Sequence, residues 1–166
     1  TKGFGDLLRI GYQNRPLLFD LNIKLPELLY ERVVEVSERL NEKGDVVTEL
    51  NEEEVRNSLI KAKSDGINSV AIAFMHSYIN PDHENKIEQI AKEENFNQIS
   101  VSHKVSPLIK LVGRGDTTVV DAYLSPILRR YVNQVSEELK DTKSTQLMFM
   151  PVSYTHLRAH ETQRHL

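Results

Sequence analysis

The sequence contains no cysteine, and no stretch of apolar residues is long enough to cross a bilayer. Without cysteine the protein has no disulfide, no thiolate metal site and no cysteine nucleophile, and this absence fits a reducing compartment, so we expect a cytoplasmic protein. The N-terminus also lacks the apolar stretch of a signal peptide. Because the first residue is threonine rather than methionine, we expect the natural start to lie upstream.

Positive charge is not in excess either. The 166 residues include 21 Lys and Arg against 24 Asp and Glu, a formal net charge of -3, which argues against nucleic acid or an anionic membrane as partner. Hydrophobic residues make up 39% and charged residues 27%, as is typical of a soluble globular protein. The length suits one domain with a hydrophobic core.

Local patterns in the first half of the chain predict a short helix, a hairpin and a longer helix. Apolar residues at helical spacing predict a short helix over Gly3–Ile10. Alternating residues over Arg32–Leu40, a turn and then Val46–Thr48 predict a β-hairpin. Asn51, with a glutamate three residues later, has the form of a capping box, and Gly66 marks the end of that helix.

The next pattern is that of a βαβ unit. The unbroken apolar run Ser69–Met75 is typical of a central parallel strand covered on both faces. Asn80 and Pro81 predict an N-cap and first helical residue, Asn95 follows that helix, and Ile99–Val101 predicts the next strand.

A long helical pattern then runs from Val120 to Leu139, with Pro126 either kinking one helix or opening a second behind a Ser125 cap. Leu147–Met150 resembles the start of another buried strand. We therefore predict an α/β fold, with a mostly parallel sheet, flanking helices and a β-hairpin.

The last residues, Pro151–Leu166, have no amphipathic period and no capping pattern. They resemble one reading frame of a sequencing-library adapter, so we predict a genuine domain over 1–150 and a foreign tail over 151–166. A histidine-rich metal tail is the alternative, because His156 and His160 stand four residues apart. It is disfavoured because no acidic residue or cysteine completes a ligand set at suitable spacing.

Two groups of residues are candidates for a site. His76, His83 and Glu84 follow the apolar strand, where open α/β sheets bind ligands, and they offer a proton-transfer histidine and a second polar pair. The favoured alternative is that 80–82 simply begins a helix and that the histidines cap it or face solvent. His103, after the next strand, has the same two interpretations.

The second group is Val112–Asp121, where two glycines, Arg114 and small hydroxyls precede the long helix. Glycine, arginine and a helix N-terminus together suit an anion, but no Walker or GxGxxG spacing is present. The alternative is that Asp116 or Thr117 is an ordinary N-cap and that Asp121 is a first-turn or buried structural acid. No nucleophile, base and orienting acid can be assembled from spacing alone.

Several strings, in order along Thr1–Met150, resemble the N-terminal region of the hydantoinase A/5-oxoprolinase family. They are Thr1–Gly11, Gln13–Pro16 with Leu18–Leu21, Tyr30–Val36, His76–Tyr78 with Asn80–Pro81 and His83–Glu84, Ser102–His103 with Val105–Pro107, and Arg114–Leu124. The resemblance implies an enzyme that uses ATP and Mg²⁺, often with a monovalent cation, to open 5-oxoproline or a hydantoin. It also implies one lobe of an actin/sugar-kinase-like ATPase fold.

The family's first phosphate loop precedes the matched region, and its other nucleotide-binding glycine motifs follow it. We therefore expect a fragment that is inactive alone, binds neither ATP nor metal, and exposes apolar surface. Its partners would be the remainder of the same chain and a hydantoinase B-type subunit. Candidates for a substrate-side or interlobe cluster are Arg114, Asp116, Thr117, Asp121, His76 and His83. The alternatives are a beta-type subunit of an acetone or acetophenone carboxylase and a non-catalytic α/β interaction module.

Overall fold

The computed structural model describes residues 1–11, 19, 21–22 and 27–138. The chain divides into two units, Thr1–Leu128 and Arg129–Leu166, and of the second the structure describes only the end of a helix. The elements in chain order are α1 (Leu7–Ile10), β1 (Arg39–Leu40), β2 (Val46–Thr48), α2 (Glu52–Ser64), β3 (Ser69–Ile72), α3 (Asp82–Glu93), β4 (Gln98–Val101), α4 (Ser102–Val105) and α5 (Leu111–Glu138).

Helix α2 begins and ends at the residues that the sequence indicates. The Asn51 side chain accepts a hydrogen bond from the Glu54 backbone N–H at 3.1 Å, which satisfies one of the free donors of the first turn. After the helix, Gly66 adopts a φ of +89°, a left-handed conformation that costs glycine little. The predicted apolar stripe of this helix is buried: Val55, Leu59 and Ala62.

Strands β3 and β4 are parallel and are joined through α3, so the predicted βαβ unit is confirmed. Ser69 pairs with Gln98, and the register continues to Ile72 opposite Val101. Helix α3 begins at Asp82, whose N–H donates to the Asn80 side chain at 3.0 Å. The N-cap is therefore Pro81 rather than the predicted Asn80, and the first helical residue is Asp82 rather than Pro81.

The sheet has helices on both faces. Helices α2 and α3 bury their apolar stripes against one face, where Ile72 and Val101 belong to the same core cluster as Leu59 and Ile87. Helix α5 lies on the other face, where the Ser100 hydroxyl donates to the Asp121 carboxylate at 2.6 Å. The predicted α/β class is therefore confirmed, and β1 and β2 form the predicted antiparallel hairpin.

The first hairpin strand is shorter than predicted, because only Arg39–Leu40 of the range Arg32–Leu40 is a strand. The preceding residues contact the N-terminal segment instead. The Glu35 carboxylate accepts hydrogen bonds from the Gly3 and Gly5 amides at 2.9 and 2.8 Å, which lowers the pKa of Glu35.

Strand β3 is also shorter than predicted and is more exposed. It ends at Ile72 because the Phe74 N–H, two residues later, donates to the Glu84 carboxylate rather than to a strand. Residues Ser69–Ala71 are only partly buried, so the expectation of burial on both faces is wrong for most of the strand.

Helix α5 begins earlier than predicted and is not interrupted at Pro126. It is one continuous helix that contains Pro126 and begins at Leu111, so 113–121 is not a loop and neither Asp116 nor Thr117 is an N-cap. A Cβ atom at Gly115 would lie 2.8 Å from the Leu8 Cδ2 atom, so this glycine allows α1 to pack closely on α5.

The short helix α4 was not predicted. Of the helix predicted over Gly3–Ile10, only Leu7–Ile10 is helical, as α1. The predicted strand at Leu147–Met150 and the tail over 151–166 lie outside the described residues. Within the described ranges, no helix combines the length and hydropathy that crossing a bilayer requires.

Replacing the N-cap of α2 should destabilise the fold. We expect Asn51→Ala to lower the free energy of unfolding by about 1 kcal/mol, because the Glu54 N–H loses its acceptor. Urea unfolding followed by circular dichroism measures this. Asn57→Ala is the matched control within the same helix, where the exposed asparagine should be replaced without loss. Equal effects of the two changes would contradict the capping role.

Glu88 of α3 should contribute to stability above acidic pH. Partial burial opposes its ionisation, but hydrogen bonds from Lys104 and Lys92 outweigh this and lower the pKa of Glu88 below its ordinary value of 4.5. The stabilisation is therefore present above pH 4.5 and lost as the pH falls through the folded-state value. Glu88→Gln should flatten the acid side of a stability profile from urea midpoints. Glu42→Gln, in the exposed hairpin turn, removes the same charge away from Lys92 and Lys104 and is the control. Equal flattening of the profile in both variants would contradict the role of Glu88.

Candidate functional site

Polar side chains gather where the carboxyl ends of β3 and β4 meet, and Glu84 of α3 is at their centre. Glu84 is fully buried. Its Oε1 atom accepts hydrogen bonds from the Phe74 N–H at 2.9 Å and from the Ser102 hydroxyl at 2.6 Å. Its Oε2 atom accepts one from the His103 N–H at 3.1 Å and lies 2.6 Å from His103 Nδ1. Four bonds to one carboxylate compensate for its burial.

Arg114 of α5 is the opposite charge of this cluster and is also fully buried. Its Nε atom donates to the Ser102 hydroxyl at 3.0 Å, so Ser102 bridges the guanidinium and the Glu84 carboxylate. The remaining guanidinium hydrogens go to four carbonyl oxygens, those of Phe74, Met75, Leu108 and Ile109. Burial lowers the pKa of Arg114, although the Glu84 carboxylate opposes this.

Ser77, Tyr78 and His76 complete the cluster on the β3 side. The Ser77 hydroxyl donates to the Phe74 carbonyl at 3.1 Å and lies 3.2 Å from the Ser102 hydroxyl. The Arg114 guanidinium lies 5.5 Å from the centre of the Tyr78 ring, within cation–π range. His76 stands next to Tyr78, and its buried Nδ1 atom has no hydrogen-bond partner among the described residues.

His83 does not join this cluster. Its Nδ1 atom lies 2.9 Å from the Glu38 carboxylate, and both residues are buried. The expectation that His83 caps a helix or faces solvent is therefore wrong, and His83 and Glu84 have separate partners. The contact between His83 and Glu38 instead connects α3 to the segment that precedes β1.

The candidate site residues of α5 differ in their burial and do not form one cluster. Arg114 is buried, Asp116 is partly buried, and Thr117 is exposed, with its hydroxyl donating to the Gly113 carbonyl of the previous turn at 2.8 Å. Asp121 accepts hydrogen bonds from Ser100 and Ser125, which supports its interpretation as a structural acid.

The segment Gly113–Gly115 does not fit a phosphate loop. Its backbone is helical and the Arg114 guanidinium is directed to carbonyl oxygens, so neither is arranged to bind a phosphate. Among the residues that the structure describes, no group of three acidic residues or histidines is placed to hold a metal ion.

The importance of Glu84 was only partly visible in the sequence, and that of Ser102 was missed. Glu84 stands three residues before Ile87 and seven before Ala91, which puts it on the buried stripe of α3. An acidic residue on an apolar stripe needs a buried partner, and this signal could have identified it. Ser102, a small hydroxyl after a strand, carries no comparable signal.

His103 is the group of this cluster that is best suited to proton transfer. Glu84 fixes its Nδ1 atom, and its side chain is 15% exposed. No hydrogen bond to its Nε2 atom is found within the described part of the chain, so that atom is open to a ligand or to water. A carboxylate that holds one ring nitrogen orients the other for exchange of a proton.

Comparison with known proteins places the chain among related enzymes. The profile of the hydantoinase/oxoprolinase N-terminal region matches residues 1–95, and a second profile, hydantoinase/oxoprolinase, matches residues 114–166. The second match includes the segment 151–166. That segment is outside the described residues, and its interpretation as an adapter stays a prediction.

Individual relatives agree with these profiles. A 5-oxoprolinase of Saccharomyces cerevisiae is 38% identical, over 90% of this chain and 14% of its own length. The crystal structure of the ATP-dependent caprolactamase from Pseudomonas jessenii is 26% identical with a TM-score of 0.75, over 83% of this chain and 21% of the other. A nucleotide-free acetone carboxylase structure is 25% identical with a TM-score of 0.57, over 63% of this chain and 16% of the other. These likenesses agree with the expected actin/sugar-kinase-like lobe.

Removing the Arg114 guanidinium should unfold the site. We expect Arg114→Met to lower the free energy of unfolding by about 3–5 kcal/mol, because it leaves Glu84 as a buried charge without its counter-ion. Urea unfolding measures the loss. Arg56→Met is the control, since Arg56 forms ion pairs with Glu93 and Glu94 at the surface, and it should change the midpoint little. A similarly small effect of Arg114→Met would contradict the proposed dependence on Arg114.

Proposed function

The chain belongs to the hydantoinase/oxoprolinase family, and we propose that it is a segment of an ATP-dependent enzyme that hydrolyses a cyclic amide. The substrate class is that of 5-oxoproline and N-substituted hydantoins. The observation that carries this proposal is the match to a 5-oxoprolinase along nine-tenths of the chain. The chain spans about one-seventh of that relative's length, so the activity is proposed for the parent enzyme.

The chemistry explains why such an enzyme would need ATP. A cyclic amide is stabilised by resonance, and phosphorylation of its oxygen would make the ring carbon an electrophile. ATP and Mg²⁺ are proposed to bind to parts of the parent outside this segment, because Gly113–Gly115 does not fit a phosphate loop. A cytoplasmic location and a hydantoinase B-type partner subunit belong to the same proposal.

Within this segment, His103 is proposed to move a proton during ring opening. As water adds to the activated carbon and the ring C–N bond breaks, the departing nitrogen takes the electron pair and needs a proton. The carbon then carries an acyl phosphate, which a second water hydrolyses to the carboxylate and inorganic phosphate. His103 Nε2 would accept a proton from the first water and return it to that nitrogen, while Glu84 holds the ring in position. Proton transfer of this kind typically contributes about 10²–10⁴-fold to the rate.

A carboxylase subunit is the second enzyme candidate, and the weaker structural likeness to acetone carboxylase disfavours it. A non-catalytic interaction module is the third candidate. The open Nε2 atom of His103, held by a buried carboxylate, favours a catalytic role over it.

The proposed function can be tested by assaying the parent enzyme. The uninterrupted reading frame should be recovered by resequencing the source DNA through both ends, and its product purified with any partner subunit. We expect ADP release in proportion to ring-opened product when 5-oxoproline or a hydantoin is supplied. ADP release that requires a ketone and bicarbonate would favour the carboxylase. An uninterrupted frame that ends near Met150 would favour the interaction module.

The role of His103 is tested in the same enzyme. We expect His103→Gln to lower kcat at least about tenfold, with less effect on KM, and to change the pH dependence of kcat. Lys104→Gln is the matched control, because Lys104 is the neighbouring residue, is exposed, and contacts Glu88 rather than Glu84. Unchanged turnover and pH dependence in His103→Gln would exclude the proton-transfer role while leaving the ring-opening activity itself intact.

A further inference from the structure

The buried Ser102 hydroxyl has one hydrogen atom and two charged neighbours. Its oxygen lies 2.6 Å from Glu84 Oε1 and 3.0 Å from Arg114 Nε. A guanidinium can only donate, so the hydroxyl oxygen accepts from Arg114 and its hydrogen goes to the carboxylate. The Ser77 hydroxyl, 3.2 Å away, donates to the Phe74 carbonyl. The hydrogen bonds therefore run in one direction, from Arg114 through Ser102 to Glu84.

The other oxygen of Glu84 faces His103. Oε2 accepts from the His103 N–H at 3.1 Å and lies 2.6 Å from the ring Nδ1 atom. A carboxylate can only accept, so the Nδ1 atom carries a hydrogen and Nε2 presents its lone pair. This is the form of the ring that can act as a base at Nε2.

When Nε2 takes up a proton, His103 and Glu84 can arrange their hydrogens in two ways. In the ion pair, both ring nitrogens of His103 carry a hydrogen and Glu84 remains a carboxylate. In the neutral pair, the Nδ1 hydrogen has moved to Glu84. Only the charged imidazolium of the ion pair is acidic enough to return the Nε2 proton to a departing nitrogen.

Ser102 favours the ion pair. A hydrogen bond to a carboxylate is stronger when the carboxylate is ionised, and hydrogen bonds in a chain polarise one another. The bond from Arg114 thus strengthens the bond from Ser102 to Glu84, which in turn stabilises Glu84 without its proton. Loss of the Ser102 hydroxyl would remove the bridge and leave both charges in place.

Other ionisable groups around the pair of His103 and Glu84 have partners of their own. Tyr78 contacts the Arg114 guanidinium, and the ring of His76 contacts Tyr78. The remaining groups are Lys104 bonded to Glu88, His83 bonded to Glu38, and Asp121 bonded to Ser100. Among the described residues, Arg114 is thus the cation that a single side chain connects to Glu84.

We propose that Ser102 is a positioning residue for ring opening. By linking Arg114 to Glu84, it keeps both hydrogens on the His103 ring after Nε2 has taken a proton from water. That proton then goes to the nitrogen of the opening amide, the Nδ1 hydrogen stays on the ring, and Glu84 is a carboxylate throughout. This inference rests on the proposed role of His103.

Nuclear magnetic resonance of the whole 166-residue chain tests where the protons lie, without substrate. Over the pH range in which His103 titrates, both ring nitrogens should become N–H while the Glu84 carboxyl carbon keeps the chemical shift of a carboxylate. In Ser102→Ala, this carbon should move towards the shift of a carboxylic acid. Ser77→Ala is the matched control, since it removes a buried hydroxyl whose hydrogen goes to the Phe74 carbonyl, and it should leave the Glu84 signal unchanged.

Three spectra would overturn the proposal. The unsubstituted chain could show a protonated Glu84 carboxyl when His103 has taken up its proton, a result that needs no variant. Ser102→Ala could leave the Glu84 signal unchanged while its amide spectrum is that of the folded chain. Ser77→Ala could move the Glu84 signal as far as Ser102→Ala does.

The parent enzyme shows whether the effect reaches the reaction. We expect Ser102→Ala to lower kcat at least about tenfold, with less effect on KM. Adding Ser102→Ala to His103→Gln should cause no further loss, because Ser102 acts through His103. A further loss in the double variant would contradict that route. If the unsubstituted parent opens no ring, the proposed function is wrong, whereas the proton positions are still determined by the spectra.

Discussion

The buried connection from Arg114 through Ser102 to Glu84 is the interaction on which the rest of the structure depends. It joins α5, the end of β4 and α3, and the guanidinium also binds the carbonyl groups that follow β3. Both charged groups have lost their water and are stable there only because each is fully hydrogen-bonded. The carboxyl end of the sheet is therefore fixed in one arrangement, and His103 is held by the same carboxylate.

Local chemistry explains what the sequence predicted correctly. Asn51 and Gly66 mark the start and the end of α2 through local features of the chain. The apolar run at β3 needs only one neighbouring strand to form a ladder. The start of α5 was missed for the opposite reason. Gly113 and Gly115 are poor helix formers, and the reason for Gly115 is the Leu8 side chain, which is remote in the sequence.

For the candidate site, the sequence predicted the position of some residues in the order of elements but not their partners. The order of elements puts His76 after β3 and His103 after β4, whereas His83 lies within α3 and outside the polar cluster. Their partners were not predictable, since His83 binds Glu38 from a distant segment and Glu84 turns towards His103. Arg114 was predicted to bind an anionic ligand, but its guanidinium donates to main-chain carbonyl oxygens and to Ser102.

The N-terminal segment and the polar cluster meet at the same end of the sheet. Met75 donates its N–H to Thr1 and its carbonyl accepts from Arg114, so one residue contacts both. The segment after Thr1, which Glu35 holds through Gly3 and Gly5, therefore begins beside the polar cluster. Ligands of parallel sheets bind at carboxyl ends. The rigid cluster thus suits one wall of a site whose phosphate-binding groups come from other parts of the parent enzyme.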